Sequence, residues 1–501
     1  MSLFFLDSLL QKVWRYIVPY GIFLDLATLG IPTGITRLIA EQQEEHKLGY
    51  SQYLYQRIRR VSLLLGFVMF LILFLLSTPL AYIIIGGKED VTNSIQDVRL
   101  VIQMISLALL IIPNLSLLRG IFNGLKQTEQ TARSQVIEQV IRVGMILISA
   151  YLIIKIFNGS YRPVIYLSVL AASISGALTF VILRLKYRRL KKPDLDMTFS
   201  ISTKRFLKQV FAYALPAVFI TLLLGLFNLT DTLTFNWAFS LGHHPASEAQ
   251  YATYIFEVQK LVYLPIAFGV SLGTSFMVYA NNENTHPKLH QQMTRAIEIL
   301  CFILMPIILL FMVFSHEIYR ILFGNTLYGP DILQSAAPLI LPFALLHVLS
   351  GMMQRLHKEW IFIRHLLLGV FIKLLFNVPL IIRFETNGAI LSSFIGYMVP
   401  VVLNLFVLIR DLELNMTYTL RRLVIITILS IGLATPFSLI QGYFLKPTFP
   451  FIVRLIVLGG MSLVYLILYL LGCYGLGLID CLFNTRITLR QLIKGEWLIK
   501  R

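Results

Sequence analysis

The stretch Pro113-Asn-Leu-Ser-Leu-Leu-Arg-Gly-Ile-Phe-Asn-Gly-Leu125 decides the architecture, because the chain repeats it. Its echo is Pro342-Phe-Ala-Leu-Leu-His-Val-Leu-Ser-Gly-Met-Met-Gln-Arg-Leu356. The two stretches run on through Arg142 to Tyr151 and through Lys373 to Ile382. With a two-residue offset near the start, Gly120 falls on Gly351, Leu125 on Leu356 and Arg142 on Lys373. Fainter echoes pair Leu29-Gly-Ile-Pro-Thr-Gly-Ile-Thr-Arg37 with Phe268-Gly-Val-Ser-Leu-Gly-Thr-Ser-Phe276, and residues 56–85 with 291–322. All these pairs stand roughly 230 to 240 residues apart, as internal structural repeats do when they follow one another in a chain.

The repeated stretches lie in a sequence made of apolar runs. Of 501 residues 57% are hydrophobic and 14% charged, against roughly 25% charged in a soluble domain. A membrane-spanning helix needs about 20 apolar residues, and thirteen such runs can be read. The first six are Tyr16–Glu41, Val61–Ile85, Leu100–Leu118, Gln135–Ile154, Pro163–Leu183 and Phe206–Thr230. The rest are Tyr251–Ala280, Ala296–Ser315, Ile332–Met353, His365–Ile382, Ala389–Ile409, Leu423–Gln441 and Leu455–Leu482. Barrel strands would alternate over about ten residues, so these runs predict an all-α polytopic membrane protein.

The charges orient the spans. The segments that follow odd-numbered spans, the C-terminal tail included, carry 29 Lys and Arg, with Lys208 at the head of the sixth span counted among them. The loops that follow even-numbered spans carry 8. Basic residues accumulate on the cytoplasmic side, so the C-terminus is expected inside. The net charge of +18 is thus explained by the membrane, and nucleic acid is not an expected partner. The basic stretches 184–208 and 486–501 would lie against anionic lipid head groups.

The echoes link the first span to the seventh, the third to the ninth and the fourth to the tenth. A shift of six spans preserves orientation, so the repeats are parallel and related by an axis along the membrane normal. Two similar bundles facing one another would enclose a cleft, as a transporter does. The expected organisation is residues 16–187 as an N-terminal lobe of five spans and 188–205 as a basic cytoplasmic linker. A six-span lobe follows at 206–412, then an additional helix pair at 419–483 and a basic tail at 484–501. The sixth span has no counterpart before Tyr16, so the first lobe is read as lacking its first helix.

Ionisable residues inside spans cost roughly 2.5 to 3.5 kcal/mol on insertion scales and normally face a polar cavity or a partner. Four cations qualify: Arg37, Arg142, Lys260 and Lys373. Converging on a cleft, they would suit an anionic substrate such as a phosphate or pyrophosphate. The alternative is local neutralisation: Glu138 and Arg142 are spaced i,i+4, and Glu257 and Lys260 i,i+3. Arg37, near the end of its span, could instead snorkel to the interface. Asp25 and Asp231 are candidates for binding a coupling cation or relaying protons, although Asp231 also reads as a solvated helix end. The His243-His244 pair reads as solvated loop. The three cysteines, Cys301, Cys473 and Cys481, have no metal or disulfide spacing. There is no GxxxxGK[ST] for direct ATP drive, no catalytic constellation and no cofactor motif.

The segments Ala27-Thr-Leu-Gly-Ile-Pro-Thr-Gly-Ile-Thr-Arg-Leu-Ile-Ala-Glu41, Leu107-Ala-Leu-Leu-Ile-Ile-Pro-Asn-Leu-Ser-Leu-Leu-Arg-Gly120 and Ser134-Gln-Val-Ile-Glu-Gln-Val-Ile-Arg-Val143 resemble the polysaccharide-export branch of the multidrug/oligosaccharidyl-lipid/polysaccharide exporter superfamily. Within it the likeness is to the stage V sporulation protein B and MurJ-type lipid II flippase group, from about residue 16 to the tail. The resemblance implies fourteen helices in two six-helix lobes plus a final pair bordering a groove for a lipid tail. It implies a bacterial plasma-membrane flippase for a lipid-linked sugar pyrophosphate, lipid II first among them, with cell-wall synthesis proteins as partners. The drive would be a membrane potential or a gradient of H+ or Na+. In the lipid II flippases a basic residue precedes the proline of the second lobe's second helix by five positions, and Lys260 stands so before Pro265. The chain departs from the group in carrying Asn236 and Glu257 where basic residues are expected. Two other readings remain open: a cation-coupled multidrug exporter of the same superfamily, and a non-transporting membrane scaffold in sporulation or cell-wall morphogenesis.

Overall fold

The computed structural model describes residues 31–40, 47–85, 95–157, 161–190, 203–244, 247–279, 286–324, 327–412, 416–445 and 449–479. Among them every regular element is a helix. A bilayer offers no partner for a free N–H or C=O, and a helix satisfies each one within its own segment. Eleven described helices are long and apolar enough to span. They correspond to the second through thirteenth expected spans, with the tenth and eleventh joined. Most of the first expected span, and with it the question of a missing helix, falls in residues 1–30, outside the described residues.

Packing divides the chain into two units, Met1–Leu226 and Phe227–Arg501. The first contains α1 (Ile31–Ala40), α2 (Lys47–Leu75), α3 (Ser77–Ile85), α4 (Ile95–Ser106), α5 (Ile112–Gly124), α6 (Thr128–Tyr151) and α7 (Tyr161–Arg188). The dividing point lies within α8 (Thr203–Leu241). The second unit continues with α9 (Ser247–Ala252), α10 (Gln259–Tyr279), α11 (His286–Val313), α12 (Ser315–Phe323), α13 (Gly329–Ala336), α14 (Ile340–Arg355) and α15 (Glu359–Leu412). It closes with α16 (Thr417–Phe444) and α17 (Phe451–Gly475).

The repeat is visible in the packing of each unit. In the first, α5 lies against α1: a Cβ on Gly120 would stand 2.5 Å from the Pro32 carbonyl oxygen, and Thr36 Oγ1 donates to Gly120 O at 2.9 Å. In the second, α14 lies against α10, and a Cβ on Gly351 would overlap the Gly273 backbone. Between helices in lipid, such small residues let backbones approach closely enough for dispersion to hold them. The interruptions repeat too. A 3-10 turn, Leu107–Leu110, precedes α5, and another, Ala337–Leu339, precedes α14. Each turn holds the residue four before a proline, Leu109 before Pro113 and Pro338 before Pro342, and a proline has no N–H to close the helical bond to that carbonyl.

Two departures from the expected spans change the setting of acidic residues. The helix holding the sixth span continues eleven residues past Thr230, to Leu241. At about 1.5 Å per residue its 39 residues cover about 58 Å, well beyond a hydrocarbon core of about 30 Å. Phe235 and Phe239 on this extension stack on each other, and Phe235 also meets Tyr251. The second departure is in α15, where Glu385 alone breaks the helix, with φ 55° and ψ −134°. A non-glycine residue there is strained by about 1–3 kcal/mol.

Exposed apolar side chains, such as Phe67 and Leu75 on α2 or Leu439 and Tyr443 on α16, cover the outer faces. Lipid tails are as apolar as leucine, so these faces need no protein cover.

Candidate functional site

In the first unit the charges gather where α5 meets α6. Glu138 is nearly buried, and its two carboxylate oxygens accept from different guanidiniums: Oε2 from Arg119 Nη2 at 2.8 Å, Oε1 from Arg142 Nη2 at 2.5 Å. The i,i+4 pair of Glu138 and Arg142 therefore exists, but Glu138 also serves a second cation. Arg119 is further fixed by Nε donating to Ser134 Oγ at 3.0 Å, while Ser134 Oγ donates to Thr131 O at 2.7 Å. Two guanidiniums on one carboxylate leave a net positive charge at bilayer depth. Arg142 keeps 29% of its side chain exposed, and its Nε has no hydrogen-bond partner among the described residues. That Nε is a buried atom, so the cluster's suitability for a phosphate oxygen rests on its surplus charge and on the exposed part of the Arg142 side chain.

The second unit treats its cation differently. Lys373 on α15 and Asp231 on α8 are both wholly buried, with Nζ 2.8 Å from Asp231 Oδ2. The same ammonium donates to Phe227 O at 2.5 Å. Around the pair, Asn377 Nδ2 donates to Thr234 Oγ1 at 2.7 Å, and Ser392 Oγ shares its one proton between Asn377 Oδ1 and Ala389 O. Gly396 faces the Lys373 stem, where a larger residue would not fit. Asp231 is thus no solvated helix end: α8 continues past it, and α15 supplies its counter-ion. Lys373, expected to line a cavity, is sealed among protein groups in this conformation.

The remaining candidates are placed as follows. Lys260 opens α10, partly exposed, five residues before Pro265. Glu257 lies in a π-helical turn, Thr253–Val258, is buried, and accepts a hydrogen bond from Tyr319 of α12. Arg37 sits in the last turn of α1 and is 4% exposed. Asp25 lies outside the described residues. Among the described residues no group of three or more His, Cys, Asp and Glu could hold a metal ion.

Two charge sites escape a reading of the sequence. Arg119 counts as a loop cation by its position, although it stands inside the repeated stretch itself. Glu298 on α11 binds the final helix pair, accepting from Thr419 Oγ1 at 2.9 Å and from Arg422 Nη1 at 2.9 Å. Tyr469 OH of α17 donates to Phe302 O on the same α11 at 2.8 Å. The additional pair is therefore anchored to the second unit by polar bonds as well as by apolar contact around Phe302, Ile426 and Cys473.

An all-helical chain with eleven described helices long and apolar enough to span, and with the same helix-pair packing repeated in its two units, is a polytopic membrane protein. Residues 15–277 match the family described as "Polysaccharide biosynthesis protein", and the chain belongs to that family, within the polysaccharide-export branch of the exporter superfamily. It is 30% identical over 444 residues to "Lipid II flippase MurJ" of Bacillus subtilis (strain 168), spanning 85% of this chain and 82% of that protein. In fold it is similar to a solved structure of "Lipid II flippase MurJ, inward closed conformation", with a TM-score of 0.59, 16% identity and 93% of each chain covered. A transporter of the MOP superfamily from Pyrococcus furiosus matches with a TM-score of 0.58 and 15% identity, over 81% of this chain and 88% of that one. The chain is a multi-pass membrane protein of the flippase and exporter type, and its relatives are transporters, not enzymes.

Proposed function

We propose that this chain flips a lipid-linked sugar pyrophosphate, lipid II being the substrate, from the inner to the outer leaflet of a bacterial plasma membrane. The observation that carries the reading is the Arg119–Glu138–Arg142 cluster, with its excess cation and an Arg142 side chain left 29% exposed. A pyrophosphate is the part of such a substrate that most needs a cation in a low-dielectric setting. Lys260, partly exposed on α10, is the second proposed contact. The similarity to a lipid II flippase over most of both chains supports the substrate class.

Transport would follow alternating access, with the head group carried past the cations while the lipid tail stays in the bilayer. The C-terminus lies in the cytoplasm in this reading, because the basic residues crowd the segments on its side. Membrane potential or an H+ or Na+ gradient drives the cycle, and anionic lipids hold the basic loops at the inner surface. The test is lipid II flipping in proteoliposomes. Arg142→Ala and Lys260→Ala should each slow it by about tenfold or more, about 1.4 kcal/mol of lost stabilisation. Unchanged rates in both variants would remove the proposed binding role. Depletion in cells, followed by identifying the lipid-linked precursor that accumulates, checks the substrate independently.

A further inference from the structure

The break in α15 opens a second polar place, distinct from the Lys373–Asp231 pair. Around Glu385 the second unit holds a cavity of about 360 Å3, within the roughly 300–1,000 Å3 usual for small-ligand pockets. Its walls come from three separate connections: the one after α8, the start of α13 and the α15 break.

The wall is fixed by its own hydrogen bonds. Gln250, itself buried, donates from Nε2 to Glu385 Oε2 at 3.0 Å and accepts from Thr386 Oγ1 at 2.6 Å. His244 bridges Ile382 O through Nε2 at 2.7 Å, with Nδ1 3.3 Å from Glu385 Oε1. These bonds tie the positive-φ residue Glu385 and its neighbours to Gln250 and His244, and the residues on either side of the break, Arg383 to Asn387, line the cavity. Strain of this kind persists only where surrounding structure over-determines it, and it clusters at ligand clamps.

The other lining groups have different uses. Arg383, Asp331 and Asn387 offer planar donors and acceptors, with Asp331 3.6 Å from His316 Nε2. The Tyr328 ring and the face of Phe384 away from the Arg383 guanidinium, which lies 5.7 Å from its centroid, offer flat apolar surface. Among the described residues Arg383 is the one Lys or Arg in the lining and faces two carboxylates, Asp331 and Glu385, each already beside a histidine, so the lining is a poor host for phosphate or pyrophosphate. A pyranose matches it: paired ring hydroxyls meet planar side chains in bidentate fashion, and the C–H faces lie on aromatic rings. We infer that this cavity is a saccharide-binding site, taking a neutral, hydroxyl-rich unit of one or two rings. Its position at the outer surface rests on the proposed orientation, since all three connections follow even-numbered spans. The chemistry of the site does not depend on transport.

The test uses the full chain in nanodiscs, titrated with N,N′-diacetylchitobiose and followed by saturation-transfer difference NMR. Saturable binding is expected, weakened at least about tenfold (about 1.4 kcal/mol) by the double change Arg383→Ala and Asn387→Ala. Asp331→Asn, at a side chain that is 71% exposed, should weaken it less and serves if the double variant misfolds. Inorganic pyrophosphate and tetramethylammonium should not displace the sugar. Competition by lipid II then separates a transported head group from a free glycan as the source, both within the saccharide class. Absence of saturable binding, displacement by pyrophosphate, or binding indifferent to all these substitutions would overturn the inference. Because binding is read without flipping, this result stands apart from the outcome of the transport assay.

Discussion

Arg142 and Lys373 hold the same place in the two repeats, yet one keeps donors in reserve and the other has spent them. Arg142 shares Glu138 with Arg119, so the cluster between α5 and α6 carries surplus positive charge while the Arg142 side chain stays 29% exposed. Lys373 has a carboxylate of its own, Asp231, with both side chains at zero exposure. The ratio of cations to anions makes the difference: two to one in the first unit, one to one in the second. A surplus cation can serve a ligand, whereas a matched buried pair serves the fold. Equivalent positions in a repeat therefore need not share a role, and local charge stoichiometry decides which role each takes.

The largest expected effect tests the second half of that comparison. Lys373→Ala should cost about 3–5 kcal/mol of stability, because it leaves the Asp231 carboxylate buried without a counter-ion. Replacing the pair together, Lys373→Met with Asp231→Leu, should recover most of the loss. Thermal unfolding in detergent measures both, and a single variant as stable as the parent would show that the pair is not sealed. Next come the glycines that the repeats do share. Gly120→Ala and Gly351→Ala should each destabilise by about 1–3 kcal/mol, since backbone from a facing helix occupies the space a methyl needs. A cost in only one of them would mean that the packing has diverged along with the charges.

The first half of the comparison predicts a smaller stability effect and a larger functional one. Arg142→Ala should change unfolding by no more than about 1 kcal/mol, because Arg119 still neutralises Glu138. Lipid II flipping should nevertheless fall by about tenfold in the same preparation, as expected of a head-group contact. A large loss of stability would place Arg142 with Lys373 as a structural cation. The smallest effect is expected two and a half helix turns earlier on α6. Arg133 and Glu129 also form an i,i+4 pair, but both are exposed, so Arg133→Ala should cost under about 0.5 kcal/mol and leave flipping intact.

Much of this is legible in the chain before folding. Apolar run length locates the spans from Val61 onward, and the Glu138–Arg142 pair follows from spacing alone. Asp231 is misjudged because its surroundings, Asn228-Leu-Thr-Asp-Thr-Leu-Thr234, look like a polar helix end. What rescues α8 beyond Thr230 is burial of Phe235 and Phe239 in the second unit, a matter of partners distant in sequence. Glu385 is expected in a short loop, and the structure instead carries helix almost up to it from both sides, so that one strained residue makes the bend. Within residues 383–388 the one local signal is Asn387-Gly388, where a Cβ on Gly388 would overlap the Leu380 backbone. That the bend falls at Glu385 depends on His244 and Gln250, which lie far away in sequence.

The repeated stretch, the number of apolar runs and the clustering of basic residues belong to the chain itself, since each depends on neighbours within a few turns. They suffice for a helical bilayer protein with two like halves. Which cation is spent and which is free depends on contacts between residues far apart in sequence: Lys373 with Asp231, and Arg119 with Glu138. A charge in low dielectric is governed by the nearest counter-charge in space, and only the tertiary structure decides which one that is.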